Sequence, residues 1–152
     1  QGEFAARETV TIVGPRGVLE GVRVLGPVRE YTQIEVAMTD SFRLGLKPPV
    51  RESGDLEATP GVAVVGPAGA INLSRGVILA ARHIHMEEER ARSLHLQDGQ
   101  QVQVWVPGTR GMVLNNVIIR TNPRFRLELH LDTDEANAAL LRGGDKVKIL
   151  RP

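Results

Sequence analysis

The chain has no cysteine. Disulfides, a thiol nucleophile and thiolate metal ligands are thereby excluded, so any metal must be held by His, Asp or Glu. The absence also fits a reducing cytosol. Aromatic residues make up only 3% of the chain, so aliphatic side chains must fill the interior. No apolar run approaches the roughly 20 residues that a membrane-spanning helix needs, and Gln1-Gly2-Glu3-Phe4 has no signal-peptide pattern. Neither charge is in excess: 19 basic and 18 acidic residues leave a formal charge of +1. Neither nucleic acid nor a membrane is expected as a partner, although single arginines can still hold an anionic ligand. The first residue is not Met, and further residues are expected upstream.

What is present is a chain of 152 residues, 41% of them apolar, enough for one globular unit or two very small ones. With Gly 16 and Pro 9 among short Val/Ile/Leu runs, it reads as mostly β. Strands are predicted at Glu8–Val13, Leu19–Leu25, Gly61–Val65, Val77–Ala81, Gln101–Val106, Val113–Arg120, Arg126–Leu131 and Lys146–Leu150. Many short strands with frequent turns suggest a small closed or partly closed barrel.

A repeat underlies these runs. Gly14-Pro15-Arg16-Gly17, Gly66-Pro67-Ala68-Gly69 and Gly108-Thr109-Arg110-Gly111 each follow a Val-rich strand and precede another. Pro supplies a fixed φ and Gly a permissive one, so each reads as a hairpin turn rather than a phosphate-cradling loop. A short helix is predicted later in each unit: Thr39–Leu44 capped by Thr39 or Asp40, Met86–Leu94, and Thr133–Arg142 capped by Asp132 and closed by Gly143. Leu94–Val102 and Leu140–Val147 share a helix end, a Gly/Asp turn and a return strand, as in interleaved double-psi or swapped-hairpin barrels. Lys47–Asp55 reads as an ordered loop between lobes, since Pro49 keeps Pro48 out of helix and Ser53-Gly54-Asp55 is turn chemistry. Three segments are expected: a first lobe over 1–58, a second over 59–106, and strands and a helix over 107–152 that pack back onto the first.

The chemistry gathers just before each short helix. Gln33-Ile34-Glu35, His83-Ile84-His85 and Leu129-His130-Leu131 place a metal-capable side chain at the same point of three units. Residues two apart on a strand share a face, so His83 and His85 can converge on one ion. By itself such a pair is equally a solvated strand end. With His130, three imidazoles can be offered to zinc while positions stay open for water or substrate, the arrangement of a catalytic zinc. Glu35 adds a carboxylate to the same ion or to a second.

Other polar residues have plainer readings beside functional ones. His95 reads as a helix-terminal histidine and is left out of the site. Arg29 and Arg82 flank the candidate segments, where a guanidinium suits phosphate, or pairs on the surface with Glu30, Glu87 or Glu88. Asp132, Asp134 and Glu135 read as capping and helix-dipole compensation rather than as an acidic metal cluster. Trp105 reads as a strand or core residue.

At Glu8-Thr9-Val10, Lys47–Asp55, Arg82-His83-Ile84-His85-Met86 and Leu129–Ala138, the chain strongly resembles the PduL-type phosphate propanoyltransferases, over nearly its whole length. That family exchanges coenzyme A for inorganic phosphate on a short acyl group. The resemblance implies a mainly β fold of two small β-barrel lobes with short α-helical caps and a dinuclear zinc site. It implies that His83, His85 and His130 hold one zinc, that Glu35 holds the other, and that Arg29 binds phosphate. Arg23, Leu25 and Asn137 match positions that line the coenzyme A pocket. Family members carry a second His-x-His upstream of the Gly-Glu-Phe-Ala-Ala stretch, so this chain is expected to be the larger C-terminal part of the enzyme.

The implied reaction converts propanoyl- or acetyl-coenzyme A and phosphate to an acyl phosphate and coenzyme A, and the reverse. Members often work inside bacterial microcompartments of propanediol degradation, so microcompartment lumen proteins and further copies of the chain stand as candidate partners and the cytoplasm or such a compartment as its location. Two other readings of the residues stay open: a zinc-dependent hydrolase of thioesters or phosphoesters using the same histidines, and a non-catalytic β-barrel interaction module.

Overall fold

A computed structural model describes residues 4–150; Gln1 to Glu3, Arg151 and Pro152, where the outer expected segments begin and end, lie outside the described residues. Among the described residues the protein is mainly β, with 43% strand, 14% helix, a curled half-barrel sheet and three short helices. It divides into two compact units, one ending at Ala80 and the other starting at Ala81.

The first unit opens with β1 (Phe4–Val13) and β2 (Val18–Gly26), an antiparallel hairpin turned at the predicted Gly14-Pro15-Arg16-Gly17. Then come β3 (Ile34–Glu35), α1 (Met38–Leu44), β4 (Val50–Arg51), β5 (Val62–Gly66), β6 (Gly69–Leu73) and β7 (Val77–Ala80). One sheet has the order β2-β1-β5-β6; in a second, β3 and β4 flank β7, both parallel to it. Ile12, Leu19, Ile34, Val36, Leu44, Val62, Val77 and Leu79 form the core between them. The turn at Gly14 lies against the end of α1: Arg16 N donates to Leu44 O at 3.1 Å. A Cβ at Gly14 would collide with that Leu44 carbonyl, so the close approach requires glycine.

The second unit contains β8 (His83–Met86), α2 (Glu88–Ser93), β9 (Gln101–Val106), β10 (Met112–Thr121), β11 (Glu128–His130), α3 (Thr133–Ala139) and β12 (Lys148–Leu150). Its sheet runs β11-β8-β10-β9-β12, with only β8 and β10 parallel. Ile84, Met86, Val104, Val106, Val117 and Ile119 form the centre of the core.

Every strand predicted from sequence is present, to within about two residues at each end except that β1 starts four residues before the predicted Glu8, and all three Gly-bounded turns join antiparallel strands. The pairings group the segments differently from the expected 1–58, 59–106 and 107–152. β5 pairs with β1, which holds residues 62–66 in the first unit, and β12 pairs with β9, which holds 148–150 in the second. The loop expected between lobes contains β4, which is tied to β7 within the first unit.

Local corrections have local causes. The His-x-His has a strand of its own: the chain leaves β7 at Ala81-Arg82 and starts β8 at His83. α1 has Ala37 at its N-cap position, which offers no side-chain cap, and Thr39 and Asp40 fall inside its first turn. α2 starts at Glu88 because Met86, wholly buried, still pairs with Thr121 of β10. α3 has the expected Asp132 cap but ends at Leu140 in a left-handed conformation (φ 56°), before Gly143 is reached. Trp105 lies on the outer face of β9, where Val102, Val104 and Val106 take the inner one.

Candidate metal centre

β8 is an inner strand, paired with β10 on one side and β11 on the other. Its side chains alternate: Ile84 and Met86 enter the core, while His83 and His85 take the opposite face half-buried. A slip of one residue would expose both apolar side chains and bury two imidazoles, at a cost of about 3–6 kcal/mol. The core therefore fixes the face on which the histidines stand.

The register with β11 adds the third imidazole. His130 lies opposite His83, and Glu128 opposite His85. Ring centroids are 4.9 Å apart for His83 and His130, 4.3 Å for His85 and His130, and 4.8 Å for His83 and His85. One nitrogen from each of the three comes within 4.8 Å of the others. His83 Nδ1 lies 2.8 Å from the Ala81 carbonyl. A carbonyl only accepts, so Nδ1 carries the proton and Nε2 keeps the lone pair that a metal takes. Among the described residues His130 Nε2 is buried with no hydrogen-bond partner, and a carboxylate oxygen of Glu128 lies 3.7 Å away. Burying a polar nitrogen unpaired is unfavourable. Three convergent imidazoles, one with its proton fixed and one orphaned, are a donor set that fits zinc.

Two polar devices frame the cluster. Arg82 Nε bonds Glu135 Oε1 at 2.7 Å, so neither Glu87 nor Glu88 is its partner here, and its guanidinium is engaged next to His83. Glu135 also closes the capping box of α3: its N–H donates to Asp132 Oδ1 at 2.8 Å, and its carboxylate accepts from the Asp132 N–H. Burial raises the Glu135 pKa above the ordinary carboxylate value, against the pull of Arg82 and with a further push from Asp132. Asp132 and Glu135 are capping groups, as their position at a helix start predicts. Asn137 lies exposed on α3, and His95 is exposed beyond the end of α2.

In the first unit, Arg29 and Glu35 are drawn into one hydrogen-bonded chain. Arg29 Nη1 donates to Ser53 Oγ at 3.3 Å, and Gln33 Nε2 reaches both Ser53 Oγ at 2.9 Å and Glu35 Oε1 at 2.7 Å. The Gly54 N–H donates to Gln33 Oε1 at 2.8 Å, which fixes the orientation of that amide. Arg23 and Leu25 stand two apart on β2 and exposed, with Arg23 Nη1 on the Ala6 carbonyl at 3.3 Å.

Sequence reasoning missed Gln33, Ser53 and Glu128. Each carried a signal: Gln33 and Glu128 stand two residues before a named candidate, and Ser53 lies in a turn already marked as ordered.

On geometry, this mainly β chain presents three imidazoles from one strand pair as a group able to hold a metal ion. A family model described as phosphate propanoyltransferase matches residues 1–142. The chain is similar to the phosphate propanoyltransferase of Thermotoga maritima, 54% identical over 150 residues, covering 98% of this chain and 71% of that protein. It is likewise similar to those of Rhodopseudomonas palustris, 48% identical with 99% and 66% covered, and Salmonella typhimurium, 50% identical with 91% and 66% covered. The chain thus spans 66% to 71% of the length of these relatives. The chain belongs to the phosphate propanoyltransferase family, a family of acyltransferase enzymes.

Proposed function

We propose that the chain carries the acyl-transfer site of a zinc-assisted phosphotransacylase. The observation that carries this reading is the three-imidazole cluster, with its orphaned His130 nitrogen, in a member of an acyltransferase family. The substrates are propanoyl- or acetyl-coenzyme A and inorganic phosphate. A phosphate oxygen forms the new bond to the acyl carbon, the carbon–sulfur bond breaks, and the coenzyme A thiolate leaves and takes up a proton; the reverse reaction runs through the same bonds.

His83, His85 and His130 would hold one zinc, which when bound supplies Lewis-acid stabilisation of developing negative charge. Glu35 would hold a second ion, its carboxylate kept in place by the hydrogen bond from Gln33. Arg29 neutralises phosphate charge and orients it, a role suited to a planar, permanently charged guanidinium. Arg23, Leu25 and Asn137 line the coenzyme A pocket in this reading. The PduL subtype and work within a microcompartment rest on the motif resemblance alone.

The test measures zinc content and coenzyme A release, with and without phosphate, for the complete protein and for His83→Ala, His130→Ala and Arg29→Ala. Loss of either imidazole should lower zinc affinity and turnover by more than about 100-fold. Arg29→Ala should keep zinc and need more phosphate. Thioester cleavage that ignores phosphate would make the protein a hydrolase, and full turnover in His83→Ala would remove the cluster from the chemistry.

A further inference from the structure

We propose that Phe125 is a positioning residue of the histidine centre, fixing the plane of the His85 ring by covering one of its faces. The inference rests on the zinc reading of the cluster, but its geometry does not. The two rings stack with centroids 3.9 Å apart and planes 12° from parallel. Phenylalanine is scarce here, with three in the whole chain, so one that stacks on a cluster imidazole needs a reason.

The turn that carries Phe125 is built to hold it there. Asn122-Pro123-Arg124-Phe125 has the residue types of a type I turn, with Asn first and Pro second. The Phe125 N–H closes the turn onto the Asn122 carbonyl at 3.0 Å, and the Arg124 N–H bonds the Asn122 side-chain oxygen at 3.0 Å. The Asn122 N–H in turn donates to the carbonyl of Met86, the last residue of β8, at 3.2 Å. The turn is thus pinned to the strand that bears His85, one residue away from it.

The consequence is specific to His85. The His85 ring meets those of His83 and His130 at a tilt of 47°, whereas Phe125 lies nearly parallel to it and covers its face. An imidazole bound to a cation carries part of its charge, and an aromatic face attracts a cation. Phe125 therefore favours the metal-bound ring over the free one as well as restricting its rotation.

The experiment compares Phe125→Leu, Phe125→Ala and Phe125→Tyr with the wild-type chain. The zinc dissociation constant is taken from competition with a chromogenic chelator, and the His85 ring resonances from NMR of the metal-free protein. Leu keeps volume without the π face, so it should weaken zinc about three- to tenfold and remove the upfield ring-current shift from His85; Tyr should restore both. Unchanged zinc affinity in Phe125→Leu overturns the proposal. If Phe125→Ala does not fold, Leu and Tyr decide it. If the wild type binds no zinc, the zinc reading fails separately, and His85 resonances unmoved by Phe125→Leu would then overturn the positioning role as well.

Discussion

Arg82→Met and Glu135→Gln separate two opposing influences beside the histidine cluster. The pair is 2.7 Å apart, with side chains 32% and 20% exposed. That setting lies between an exposed ion pair, about 0.2–1 kcal/mol, and a buried one, whose breakage costs about 3–5 kcal/mol. Arg82→Met is therefore expected to cost about 1–2 kcal/mol at neutral pH. Burial is nevertheless the largest influence on Glu135, and its pKa is raised from 4.5 despite the guanidinium. A raised pKa means that the folded state favours the protonated carboxyl. Its stabilising contribution is complete below the unfolded value and is lost as the pH climbs through the folded one. Glu135→Gln holds the side chain neutral at every pH, so the wild type should lose stability relative to it from about pH 4.5 upward. Over the same window Arg82→Met should become worse relative to wild type, because the carboxylate loses its counter-charge as it ionises. Urea unfolding followed by the fluorescence of Trp105, the single tryptophan, reports on the second unit, where both residues lie. A wild type that gains on Glu135→Gln as the pH rises would show that attraction outweighs burial, and the reasoning would fail. An Arg82→Met cost that does not change with pH would show that packing, not charge, is what the guanidinium contributes.

Asp132→Ala removes the side-chain acceptor of the capping box on α3 and should cost about 1 kcal/mol, read by the same fluorescence. Gly14→Ala sets a Cβ against the Leu44 carbonyl; amide exchange in β1, β2 and α1 should accelerate while that of β8 to β12 stays unchanged, and uniform acceleration would contradict the division into units. His130→Phe replaces the buried, unpartnered nitrogen with carbon, so metal-free stability should stay within about 1 kcal/mol or rise, yet the zinc-dependent increase in unfolding midpoint should vanish. A zinc effect that survives in His130→Phe would mean the ion binds elsewhere.

Legibility in the sequence followed the length of each signal. β1, β2, β9 and β10 have six to ten residues with turn chemistry at both ends, long enough for an alternating or Val-rich pattern to be read. β3 and β4 have two residues each, shorter than any period, and exist because β7 offers a parallel edge to each. No pattern in the sequence announces such an edge. The candidate site divides the same way. His83 and His85 are legible as a pair because strand alternation is local, and His130 because the strand-then-helix unit recurs. The partner of Arg82 was illegible, since Glu135 is 53 positions away in the chain and nearer glutamates compete on sequence distance alone.

The placement of the cluster shows why a strand, rather than a loop, carries the His-x-His. Binding three imidazoles to one ion requires that the rings be held before the ion arrives, or binding must order them. On β8 that order comes from the other face of the same strand, where Ile84 and Met86 are 2% and 0% exposed, and from two flanking strands that fix the register. β11 then needs only three residues, because Leu129 pairs with Ile84 while His130 is set against His83. The alternation that first marks His83 and His85 as a pair is thus the same feature that ties them to the core. It follows that Ile84→Ala, which touches no metal-capable atom, should loosen the strand by about 2–5 kcal/mol and weaken zinc through the lost preorganisation. Circular dichroism that remains native while chelator competition shows unaltered zinc affinity would break the link between core and centre.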